Sequence, residues 1–164
     1  MVEGDIEEPS LGQNNEQLAE LADEVSVVIH SAAVLSFLGK LKPAVQTNLA
    51  GTHNMLELAC KLPKLAAFIY VSTCYSNSTR KSVDEHIYPV NIEPLALIEF
   101  AENSDDHVVE LERNDLVGQH PNNYTYTKQL AEYLCGQYAV GAHQLPVLIC
   151  RPSINVLQSI RNRK

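Results

Sequence analysis

The sequence predicts an α/β domain built on a parallel sheet. Three short apolar runs, Val25–His30, Ala66–Val71 and Pro146–Cys150, have the continuous, β-branched character of buried strands. Stretches with helical periodicity separate them, and strands alternating with helices make βαβ units, which pair in parallel. Small or hydroxyl-bearing residues follow each run: Ser31-Ala32-Ala33, Ser72-Thr73 and Pro152-Ser153. In open parallel sheets, chemistry gathers at these C-terminal strand ends.

Taken in order, residues 14–24 read as a short amphipathic helix with Leu18 and Leu21 turned inward. Val25–His30 follows as a strand expected to be buried on both faces. A long helix is expected from about Lys42 to Leu62, with Leu49, Met55, Leu56 and Ala59 inward and Pro63 as its stop. Ala66–Val71 is the second strand. The polar, acidic segment 76–120 carries turn residues and short helices around Pro94–Ala101 and Asp105–Arg113. A helix then runs from Tyr124 to about Gln137 and feeds the third strand.

The 164 residues fit one domain, with 45% apolar and 20% charged residues. A formal net charge of −8 argues against a nucleic-acid surface, and Arg161, Arg163 and Lys164 read as a solvated tail. Cys60, Cys74, Cys135 and Cys150 form no CxxC pair and read as reduced thiols in a cytosol-facing chain. The six histidines lack metal-ligand spacing, so no metal is expected. No apolar run approaches the roughly 18 residues that span a bilayer.

Tyr124 and Lys128 stand four residues apart on the expected helix, so their side chains share a face. An ammonium beside a phenol favours phenolate and is expected to lower the tyrosine pKa from about 10. Such a tyrosine exchanges a proton with a carbonyl or hydroxyl near neutral pH. The alternative for Lys128 is a surface ion pair with Glu132, worth only tenths of a kcal/mol. Tyr126 points away from that face and reads as packing.

The ordered set Gly4-Asp5-Ile6, His30-Ser-Ala-Ala33, Asn48-Leu-Ala-Gly-Thr52, Val71-Ser-Thr73, Tyr124-xxx-Lys128 and Arg151-Pro-Ser-Ile154 resembles the extended short-chain dehydrogenase/reductases. The wording Val-Ser-Thr-Cys-Tyr-Ser-Asn and His-Pro-Asn-Asn-Tyr-Thr-Tyr-Thr-Lys is similar to the alcohol-forming fatty acyl-CoA reductases of that class. The resemblance implies a Rossmann-type doubly wound parallel sheet and Tyr124 as the acid at the substrate carbonyl. It implies Lys128 on the nicotinamide ribose and Thr73 on the substrate oxygen, with Ser72 the neighbour open to the same role. Ala32 and Ala33 would let backbone approach the cofactor; Asp5 and Ile6 would meet the adenine; Pro152 and Ser153 would border the nicotinamide. Asn48 would support the site from inside its helix. The implied cofactor is NADPH, with NADH left open, and the implied substrate is a long-chain fatty acyl-CoA. Reduction would pass through an aldehyde to the alcohol. Attachment of a parent protein to peroxisomal or endoplasmic-reticulum membrane is implied by the resemblance alone.

The chain departs from that pattern at both ends, and after Ile154 the sequence no longer resembles the family. Its seven glycines cannot be arranged as a glycine-rich pyrophosphate turn after a first strand. The expectation is therefore a partial sheet lacking its first strands, a partial NAD(P)-binding reductase domain over 1–154, and a divergent tail over 155–164. Isolated, such a fragment is expected neither to bind cofactor tightly nor to turn over. Leu95, Leu97, Ile98 and Phe100 are expected to help cover an acyl chain; an acidic surface excursion is the alternative. Another extended short-chain reductase or epimerase, or an inactive remnant, stands as the alternative function.

Overall fold

A computed structural model describes residues 2–35 and 37–153. The divergent tail expected over 155–164, like Ile154, lies outside the described residues. Three parallel strands, β1 (Val27–His30), β2 (Ala67–Val71) and β3 (Val147–Cys150), lie side by side in chain order. The register aligns Val28 with Phe68 and Val147, and His30 with Tyr70 and Ile149. Those six positions form the inner face. Phe68 and Tyr70 are wholly buried there, beneath helices from the rest of the chain.

Asn14 opens α1 (Asn15–Glu24) with a capping box: its side chain accepts from Gln17 N–H, and the Gln17 side chain accepts from Asn14 N–H. Leu18 and Leu21 reach only half-buried positions. The expected long helix is three pieces in one path. An α turn, α2 (Leu41–Ala44), passes into a π-helical stretch, Val45–Ala50, and then into α3 (Gly51–Ala59). The widened turn is visible where Gly51 N–H reaches back five residues to Gln46 O. In segment 76–120, α4 (Pro94–Asn103) and α5 (Asp106–Val117) match the two short helices expected. The last helix, α6 (Asn123–Ala139), is capped by the Asn122 side chain, which accepts from Thr125 N–H.

Two expectations are corrected. β1 is buried on one face only, because Val27 and Ile29 are 49% and 65% exposed on the face opposite the helices. Leu97 and Ile98 do not cover a ligand site; both are buried in the core, where α4 packs on the π stretch and α6. Leu95 is exposed and Phe100 half-buried.

Candidate functional site at the strand ends

The C-terminal ends of the three strands meet the first turn of α6. A cavity of about 450 Å³ opens there, lined by Ser72, Thr73, Tyr124, Pro152 and Ser153 among others. Thr73 and Tyr124 thus share one crevice, and the threonine hydroxyl interacts with the phenol. The backbone beyond the strands is zipped as well: Ser72 N–H donates to Cys150 O at 2.7 Å and Cys74 N–H to Pro152 O at 3.1 Å. This pairing holds Pro152 and Ser153 beside the residues that leave β2.

The electrostatics differ from the expected pair. Burial raises the Tyr124 pKa, and the Thr73 hydroxyl only partly opposes that rise. Lys128 is not among the groups that shift the phenol. It is 2% exposed, donates to Val71 O at 2.7 Å, and lies 4.1 Å from the centre of the Tyr70 ring. Burial lowers its pKa to about 8, which leaves it largely charged at neutral pH. Tyr124 is therefore a firmly protonated phenol, suited to donating rather than to serving as a phenolate.

The surface ion pair between Lys128 and Glu132 is also absent among the described contacts. Glu132 is 1% exposed and pairs instead with Arg151, at 3.0 Å to Nε and 2.8 Å to Nη2. Its oxygens also accept from the Ser72 hydroxyl, from the Ser76 hydroxyl at 2.8 Å and from Asn77 Nδ2 at 3.2 Å. Ser72 is thus spent on Glu132, while Thr73 faces the cavity. From the sequence, Glu132 is given only a surface pairing with Lys128, and Ser76 and Asn77 no role of their own. The signal available was the polar run after β2, an acid one turn beyond Lys128 and an arginine at the end of β3.

Asn48 sits in the π stretch and clamps the loop after β1. Its Oδ1 accepts from Val34 N–H at 2.8 Å, and its Nδ2 donates to Val34 O and, at 3.0 Å, to Thr127 Oγ1. Nearby, Thr52 donates its hydroxyl proton to Asn48 O, so it accepts from His30 Nε2. Burial holds the pKa of that histidine at about 4, so the ring is neutral.

The remaining predicted residues lie outside this cavity. Ala32 is exposed and Ala33 half-buried just past β1. The Asp5 carboxylate accepts from Glu7 N–H at 2.9 Å. Ile6 packs against Gly51, where an added Cβ would stand 2.9 Å from its Cδ1. Its carbonyl accepts from Asn54 at 2.8 Å.

The NAD-binding family described as male sterility protein matches residues 1–162. The chain belongs to that family. Among relatives of this male sterility family chain, fatty acyl-CoA reductase 1 of Xenopus laevis is 40% identical over 153 residues, covering 93% of the chain and 29% of the relative. Fatty acyl-CoA reductase 2 of Mus musculus is 37% identical with the same coverage of each. The chain thus spans about 29% of the length of these relatives. Among solved structures, it is similar to the terminal R domain of the myxalamid PKS-NRPS pathway, with a TM-score of 0.62 and 25% identity over 92% of the chain and 32% of that domain. UDP-glucuronic acid 4-epimerase from Bacillus cereus in complex with NAD gives a TM-score of 0.57 at 25% identity, over 89% of the chain and 37% of the enzyme. The three-stranded parallel sheet and its helices are thus a Rossmann-type α/β arrangement, as the sequence predicts.

Proposed function

We propose that this male sterility family chain belongs to an NADPH-dependent reductase that converts long-chain fatty acyl-CoA to fatty alcohol through an aldehyde. The observation that carries this reading is the meeting of the Thr73 and Tyr124 hydroxyls in one partly apolar cavity at the strand ends. Similarity to the fatty acyl-CoA reductases supports the substrate class.

The residues present fit the nicotinamide side of a dinucleotide. Lys128 is a buried ammonium with a single hydrogen-bond acceptor, Val71 O, among the described residues. An ammonium has three donors, and buried donors seldom go unpaired, so ribose hydroxyls would complete its set when a dinucleotide is bound. Pro152 and Ser153 would border the nicotinamide, and Ala32 and Ala33 would admit close backbone approach. Asp5 and Ile6 would serve the adenine. The dinucleotide, when bound, supplies the hydride. Tyr124 then gives its proton to the substrate oxygen, and Thr73 donates a hydrogen bond to the negative charge growing there. A phenol whose pKa is raised by burial holds that proton until the oxygen becomes basic enough to take it.

In the full-length protein, Tyr124→Phe is expected to lower NADPH-dependent reduction of palmitoyl-CoA by about 100- to 10,000-fold. NADPH absorbance follows the reaction, and a variant that keeps the parent rate overturns the reading. Likeness to the epimerase favours a sugar-nucleotide reaction instead, but Leu35, Phe37 and Pro121 in the lining weigh against so polar a substrate. The 164 residues alone hold no glycine-rich turn, and by this reading they neither bind NADPH tightly nor turn over. Micromolar affinity in a titration of NADPH against the isolated chain would contradict that.

A further inference from the structure

We propose that Leu35 and Phe37, together with Tyr75, form the wall that holds the acyl chain and sets the preference for long substrates. The inference rests on the reductase reading above and extends it to the part of the substrate that does not react. The cavity lining mixes two kinds of surface: Thr73 and Tyr124 contribute hydroxyls, while Leu35, Phe37 and Tyr75 contribute large apolar groups.

Those three side chains are 63%, 54% and 43% exposed. A single exposed leucine means little, but three large apolar groups converging on one cavity mark a binding surface. The backbone that carries two of them is pinned by polar bonds rather than by burial of its own side chains. Before Leu35, both backbone groups of Val34 are taken by Asn48. After Phe37, Gly39 O accepts from Asn123 Nδ2 at 2.7 Å. Asn48 and Asn123 are 1% and 0% exposed, so both anchors are fixed in the core. The chain is thus anchored at Val34 and at Gly39, while Leu35 and Phe37 keep more than half of their surface exposed.

Phe37 stands edge-on to Tyr124, with ring centres 5.7 Å apart at 81°. A carbonyl placed at the Tyr124 hydroxyl would lie next to that ring, within reach of a methylene chain. An alkyl chain gains from such a lining by leaving water and needs no hydrogen-bond partner there. A sugar or a phosphate would lose its own hydrogen bonds on the same surface.

The test compares palmitoyl-CoA with butyryl-CoA in the full-length protein. Phe37→Ala is expected to lower kcat/KM for the long substrate at least about tenfold more than for the short one. Leu38→Ser is the control, because Leu38 is 102% exposed and is not in the cavity lining; it should leave the chain-length profile unchanged. Equal losses at both lengths with a raised KM for NADPH would assign the wall to the nicotinamide and overturn the inference. An unmoved profile would overturn it as well. Titration calorimetry of both thioesters without NADPH separates this inference from the reductase reading. Tighter palmitoyl-CoA binding that Phe37→Ala abolishes supports the wall even if no reduction is found. Equal binding of the two thioesters by the parent protein removes the wall whatever the activity.

Discussion

Glu132, on α6, receives four side chains from two other parts of the chain: Ser72, Ser76 and Asn77 from the loop after β2, and Arg151 from the end of β3. It thereby ties the loop carrying Thr73 to the helix carrying Tyr124. A buried charge that loses its partner is costly, commonly about 3–5 kcal/mol. Because Arg151 retains the carbonyls of Asp84 and His86, Glu132→Gln is expected nearer the low end, about 3 kcal/mol. Urea unfolding reads that loss. With Arg151→Met added, the double variant should cost about 1 kcal/mol less than the sum of the two singles; strict additivity would mean that the ion pair is not coupled. At this scale, sequence reasoning found the residues that carry a motif. Thr73 and Tyr124 do share a crevice. It did not find the direction of the tyrosine pKa, because that depends on burial, and burial is a property of the packed helix rather than of a four-residue spacing.

The same division appears in the elements. Helices and strands were legible where a period repeats: α6 begins at Asn123 and the three strands fall within their expected runs. The π stretch at Val45–Ala50 was not. One extra residue in a turn leaves the apolar pattern of Val45, Leu49 and Leu56 looking helical, so nothing local announces it. Its effect is large, since it lies where Asn48 reaches Val34 on one side and Thr127 on the other. The short helix α4 is the converse case. Its apolar residues were legible as apolar, but a ligand cover and a core helix present the same pattern. Only its packing on the π stretch and α6 separates them.

For the molecule as a whole, the parallel sheet was legible from three β-branched runs, whereas the coverage of its faces was not. A continuous apolar strand reads as buried on both sides. Here all the packed helices that bury Phe68 and Tyr70 serve one face, and the other presents Ile29 and Leu148, aligned through Ile69 and 65% and 57% exposed. Among the described residues, no strand pairs with the free edge of β1. An apolar row beside an unpaired edge favours association between copies. The isolated 164-residue chain is therefore expected to self-associate in sedimentation velocity, with a sedimentation coefficient that rises with concentration. Ile29→Thr keeps a β-branched side chain, and with it strand propensity, while adding a hydroxyl to the exposed row. Paired with Leu148→Thr, it should lower the concentration dependence while changing urea stability by less than about 1 kcal/mol, because neither side chain is in the core. If association persists undiminished in the double variant, the bare face is not where copies meet.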